Sequence, residues 1–227
     1  MDPALEGMMK KLLFTIFLLI IPQTSYSQEI VWGTSLFEDI GIQCSVPQNK
    51  IKPQVEKEIL DFKRNYNPVE LKKRLNRIVV CGELSRAGYK WFRGTYVDAH
   101  KSIFVEVGKG EHNDIEYVLH HEFSSLVWLE KVNPKIIREW KTNSNFSYNL
   151  DENISSDWTV KEEEQEKGAL YRYCKTTVEN DFNVVAGFYM SDYLKPLLRK
   201  AMARHIRIKN KVRIFEKLYD DLLRNRL

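Results

Sequence analysis

From Asn113 to Lys131 the chain reads NDIEYVLHHEFSSLVWLEK, with Ile115, Val118, Leu119, Leu126 and Leu129 recurring at the three- and four-residue spacing of one helical face. Asn113 stands where an N-cap belongs, with Glu116 three residues on, and Asn133-Pro134 closes the run, so the pattern predicts a helix. Glu122 interrupts the apolar stripe between Leu119 and Leu126. An ionised carboxylate there is costly unless a cation or hydrogen-bond donors meet it. Upstream, Val55, Ile59 and Phe62 share one side of PQVEKEILDFKR (Pro53 to Arg64) and charges fill the other, which predicts an amphipathic surface helix. Pro68 followed by Leu71 and Leu75 predicts a second, shorter one.

Three β-rich runs precede the Asn113 helix: Ile78 to Cys81, Gly94 to Val97 and Ser102 to Val107, separated by turn material at Arg86 to Gly88, Asp98 to Lys101 and Gly108 to Gly110. They predict a small, mainly antiparallel sheet packed on the helix that carries His121 and followed by a helical C-terminal half, an α+β fold. Gln28 to Gln48 has no sustained period and reads as an entry arm docked through Trp32 and Phe37. Lys135 to Lys167 is polar and reads as a long irregular connection, of the kind that is often functional when it is not a solvated loop. A second core helix begins at Thr176 or Thr177 and runs to Met190, with Phe182, Val185, Ala186 and Tyr189 inward and Thr176 with Glu179 at capping-box spacing. From Lys195 to Leu227 basic residues alternate with Leu198, Met202, Ile206, Ile214, Leu218 and Leu222. This predicts two helical pieces broken around Lys209 to Lys211, with a basic face that is either solvated or laid on a membrane surface.

Composition changes this picture little. A chain of 227 residues holds one ordinary domain with a real core, and the net charge of +4 without a basic, aromatic-interleaved stripe argues against nucleic acid as a partner. The termini and cysteines add more. Met8-Met9-Lys10-Lys11, the apolar run Leu12 to Ile21 and the small residues before a cut after Ser27 make a secretory signal peptide, too short to span a membrane comfortably. The chain therefore divides into 1–27 as N-terminal extension and signal, 28–74 as arm and helices, and 75–227 as the main domain, secreted or periplasmic with no transmembrane span once the signal is removed. Cys44, Cys81 and Cys174 lie in the exported part and allow one disulfide with one thiol left over, the pairing being open.

The candidate chemistry centres on His121-Glu122-Phe123-Ser124-Ser125. In the His-Glu-x-x-His helix of zinc peptidases two imidazoles at i and i+4 share the metal and the Glu takes a proton from the bound water. Here the second ligand position is Ser125, a poor zinc ligand, and His120 points about a quarter-turn away from His121. The order of pieces resembles the zinc-binding metallopeptidases of bacterial exported proteins, of the gluzincin type. The resemblance rests on three strands, the His-Glu helix, an excursion with Trp140 and Phe146-Ser147-Tyr148, then Gly168 to Tyr173 leading into Thr177-Val178-Glu179-Asn180-Asp181-Phe182, and it covers roughly Leu75 onward.

That resemblance implies His121 as first zinc ligand, Glu122 as general base, Tyr173 as an oxyanion donor, and a third ligand from Glu179, Asn180 or Asp181, with Glu179 and Asp181 the acidic choices. Zinc is the implied cofactor, His120 or the distant His100 or His112 would complete the ligand set through a different geometry, and a peptide or protein is the implied substrate or ligand. Three functions follow: an exported hydrolase with an altered ligand set, a metallopeptidase-like fold that has given up zinc and binds a protein or glycan partner, or a core helix in which Glu122 is simply neutralised by hydrogen bonds.

Overall fold

The computed structural model describes residues 28–86, 93–107, 115–150 and 159–223. Residues 1–27, where the sequence predicts a signal peptide, as well as Asn113, His112 and the turn positions 87–88 and 108–110, lie outside the described residues. The fold is α+β. Strands β1 (Glu29–Trp32), β3 (Arg77–Cys81), β6 (Ser102–Glu106) and β5 (Gly94–Val97) form a sheet in the order β1-β3-β6-β5, and β2 (Ile42–Cys44) pairs with β4 (Leu84–Arg86) in a separate ribbon. The expected antiparallel character holds only for the β5–β6 and β2–β4 pairs, because β1 and β6 both run parallel to β3. The reason lies in the central strands. Ile78, Val79, Val80 and Cys81 are all fully buried, as are Ile103, Phe104 and Val105, and a strand covered on both faces is typical of parallel pairing.

Residues 28–44 are thus more than an arm: β1 is an edge strand of the main sheet, hydrogen-bonded along its length to β3. The two faces of the sheet serve different cores. Ile78, Val80, Ile103 and Val105 point into the main helical core, whereas Val79, Cys81 and Phe104 meet Phe37, Ile42, Cys44 and Leu84 in a smaller one under the ribbon. A disulfide joins Cys44 to Cys81 across that smaller core, and Cys174 is free and buried. With a sequence separation of 37, the bridge removes loop entropy from the unfolded chain. Replacing both cysteines by serine is expected to cost about 3 kcal/mol. The check is a urea midpoint shift without loss of native circular dichroism.

Helices α1 (Lys52–Arg64) and α2 (Pro68–Arg74) stand where the sequence predicts them, burying Val55, Ile59, Phe62 and Leu71. Helix α3 (Ile115–Lys131) packs on β5 and β6, on α1, and most extensively on α6 (Val178–Met190). Gly187 permits that approach, since a Cβ there would lie 2.3 Å from the Tyr117 ring. The described parts of the polar excursion are more regular than its composition predicts. It carries α4 (Pro134–Thr142) and α5 (Glu162–Glu166), and Trp140, fully buried, anchors α4 on the Phe182 ring 5.2 Å away. The C-terminal pair is α7 (Lys195–Arg204) and α8 (Ile206–Leu218), so the break falls at His205 rather than at 209–211. Lys211 is the reason: it is fully buried and belongs to the inward face of a continuous helix.

Candidate functional site

Three elements frame the candidate site: α3, the first turn of α6, and β5. His121 is 7% exposed, with its ring centroid 5.9 Å from that of Tyr117 and 6.1 Å from that of Tyr173, just before α6. Its Nδ1 is buried without a hydrogen-bond partner among the described residues. Burial lowers its pKa to about 4, so the ring is neutral at neutral pH.

Glu122 is half-buried against β5, where a Cβ on Gly94 would lie 2.9 Å from its Oε1 and 2.5 Å from Val118 Cγ1. The absence of a side chain at Gly94 lets the strand pass this close to the carboxylate. Burial first, and then the charge of Glu179, push the Glu122 carboxyl up to about 8, against a smaller opposing pull from Arg86. Glu179 in turn accepts a hydrogen bond from the Tyr96 hydroxyl on β5 at 3.2 Å. Burial, reinforced by the carboxylates of Glu122 and Glu179, raises the Tyr173 phenol as well. The helix that bears His121 and Glu122 and the one that bears Glu179 therefore do turn charged and phenolic groups toward one region.

Local capping decides which acid of the Glu179-Asn180-Asp181 turn faces it. Thr177, rather than Thr176, caps α6, its hydroxyl accepting from the Asn180 N–H at 2.9 Å, while the Asn180 side-chain amide donates back to Thr176 Oγ1 at 2.8 Å. Glu179 is left toward Tyr96. Asp181, two residues on and more than half a turn round the helix, points into a different cluster. Its Oδ2 accepts from Trp140 Nε1 at 2.8 Å, Tyr148 Oη at 2.8 Å and Lys211 Nζ at 2.6 Å, and the side chains of Asp181 and Lys211 are each 1% exposed.

Ser125, in the place of a second imidazole, is also committed. Its hydroxyl accepts from Asn183 Nδ2 at 2.7 Å, and the Ser124 hydroxyl donates to Asn183 Oδ1, so one buried amide on α6 clamps two adjacent serines on α3. His120 faces away from this region and shares a hydrogen bond of 2.7 Å with Tyr66 Oη, with Glu116 3.6 Å from its other nitrogen. His100 packs edge-on against Phe37 at 5.2 Å.

No protein-family model, curated protein or solved structure matches the chain. The residues themselves must then be weighed against zinc. Among the described residues no group of three or more His, Cys, Asp or Glu is disposed to hold a metal. His121 is the one imidazole at the region among the described residues, Ser125 is held by Asn183, and Asp181 is neutralised by Lys211. That donor set does not fit a catalytic zinc centre, which takes three protein ligands and an open position.

The sequence reading missed Gly94, Tyr96, Asn183 and Lys211. Asn183 left a signal in its position: a polar residue between Phe182 and Val184 on a core helix must find a partner, by the same reasoning that picks out Glu122. Lys211 left none, because a lysine in a basic segment reads as solvated.

Proposed function

We propose that this chain is an exported, metallopeptidase-like protein that has exchanged zinc chemistry for binding, with the region between β5, α3 and α6 receiving a positively charged group of a peptide or protein partner. The observation that carries this reading is the Asn183 clamp. It spends the Ser125 position on a helix-to-helix hydrogen bond, so that position is built to hold α3 to α6 and not to hold a metal. Two carboxylates and two phenols near one another, with Arg86 as the one cation that shifts Glu122 and its pull outweighed by burial and Glu179, favour a cationic ligand. The Cys44–Cys81 bridge supports export, since such bonds persist in oxidising compartments.

A second reading draws on the raised carboxyl. A half-buried acid shifted to about 8 near Tyr173 is the kind of group found at hydrolytic centres, with Glu122 as proton-transfer group and Tyr173 as donor to a developing oxyanion. At neutral pH such a group is mostly protonated and acts as an acid, which departs from the general-base role that the resemblance implies.

Zinc titration tests the loss of zinc chemistry directly. Chain purified without chelator is expected to carry no stoichiometric zinc by elemental analysis, and calorimetric titration with zinc is expected to give the same trace for the native chain and for His121→Ala. Stoichiometric zinc that His121→Ala removes would overturn the claim that this fold has exchanged zinc for binding. For the binding reading itself, an oligolysine peptide is expected to bind more tightly at about pH 9 than at about pH 6, as Glu122 ionises. Glu122→Gln removes that difference, and an unchanged pH dependence in the variant would sink the assignment.

A further inference from the structure

The outer side of the C-terminal helices carries a pattern that the region between β5, α3 and α6 does not use. Helix α8 buries Ile208, Lys211, Val212, Ile214 and Phe215 and turns Ile206, Lys209, Arg213 and Lys217 outward. Their spacing of three, four and four residues keeps the outward side chains within about 80° of one another round the helix. Lys209, Arg213 and Lys217 have no ion-pair or hydrogen-bond partner among the described residues. Glu216, the acid of this helix, is half-buried and accepts from Tyr189 Oη at 3.1 Å. Ile206, at the head of the row, is 61% exposed.

Like charges one helical turn apart repel, so three in a row weaken the helix unless an anionic partner meets them. From 195 to 218 the chain has nine Lys or Arg and one Glu, and the buried Lys211 is the one basic residue there whose charge is spent on the core. Helix α7 shows a similar spacing with Leu197, 43% exposed, then Lys200 and Arg204, although Arg204 is paired with Glu162 at 3.5 Å. A row of fixed cations headed by an exposed aliphatic side chain matches a bilayer of anionic lipid, where the cations meet headgroups and the isoleucine enters the boundary with the acyl chains. Nucleic acid fits less well, because no aromatic side chains interleave with the row. Among the described residues no helix is long and apolar enough to cross a membrane, so the contact would be peripheral.

We propose that the outward face of α8, headed by Ile206 and carrying Lys209, Arg213 and Lys217, docks this protein on an anionic phospholipid surface.

The test is co-sedimentation of the native chain and of a Lys209→Gln, Arg213→Gln, Lys217→Gln variant with phosphatidylcholine vesicles that contain or lack phosphatidylglycerol. Both proteins carry the same N-terminus, so the apolar run Leu12 to Ile21 contributes equally and the contrast isolates the helix. The native chain is expected to partition onto the anionic vesicles and to be released by salt, and the triple variant to bind roughly a hundredfold more weakly with unchanged circular dichroism. Ile206→Ser is expected to weaken vesicle binding severalfold without changing its salt dependence. Equal vesicle binding by native and triple-variant protein would overturn the proposal. So would loss of heparin or duplex DNA binding in the variant while vesicle binding stays, which would mark a site for soluble polyanions instead.

Discussion

Replacing Lys211 by methionine is expected to destabilise the fold by about 3–5 kcal/mol, the loss seen when one partner of a buried ion pair is removed and the other stays charged. Lys211 Nζ lies 2.6 Å from Asp181 Oδ2, donates to the Gly168 carbonyl at 2.6 Å, and stands 5.0 Å from the Phe146 ring centroid. Methionine fills nearly the same space, so the loss reads charge and not packing. In the variant Asp181 keeps the Trp140 and Tyr148 donors and loses its cation. Adding Asp181→Asn removes the stranded charge while leaving an acceptor oxygen for both rings, and the double variant is expected to recover most of the loss. Urea unfolding of native, single and double variants measures the coupling. If the double variant is as unstable as the single, the pair does not carry this role. The cost matters beyond stability, because the pair joins α8 and the α4 excursion to the first turn of α6, and the placement of Glu179 against Tyr96 depends on that turn.

The same pair shows where the sequence is legible and where it is not. Helices α1, α2, α3 and α6 follow from apolar spacing and caps, since each presents a stripe to one core and periodicity reports that directly. Parallel pairing of β1 with β3 did not follow, because Glu29–Trp32 is a four-residue edge strand with too few positions to show a period, and its partner is set by the returning helices α1 and α2. His121, Glu122 and Glu179 were legible as polar residues forced onto buried or capping positions. Asp181 was legible as an important acid but not in its direction. The choice between facing His121 and facing Lys211 turns on whether Thr176 or Thr177 caps α6, a one-residue difference that rotates every side chain by about 100°. Ser125 reads as a missing ligand from sequence and as half of a clamp once Asn183 is seen beside it.

The native state is expected to lose about 2 kcal/mol of stability between roughly pH 6.5 and pH 8, and Glu122→Gln is expected to abolish that loss. Glu122 titrates near its ordinary 4.5 in the unfolded chain and at about 8 in the fold, so the folded protein holds a proton that the unfolded chain has given up. Stability from this group is complete below pH 4.5 and drains as pH rises through 8, at about 1.4 kcal/mol per pH unit. His121 works the other way: burial drops it from 6.5 to about 4, so its contribution is present above 6.5 and is lost as pH falls toward 4. Between 4.5 and 6.5 the two slopes cancel, one proton being bound in each state, and stability is flat. Above 6.5 His121 is neutral in both states and Glu122 alone sets the slope. Across its whole range the Glu122 shift amounts to roughly 3–5 kcal/mol, the lower figure allowing for its partial exposure. In Glu122→Gln stability should rise between 4.5 and 6.5, where His121 alone then sets the slope, and stay level from 6.5 to about 8, while His121→Gln should leave the alkaline decline intact and extend it down through 6.5 to 4.5. A decline above pH 6.5 that survives in Glu122→Gln would mean that another group sets it, and that this carboxyl does not hold its proton to about 8 in the fold.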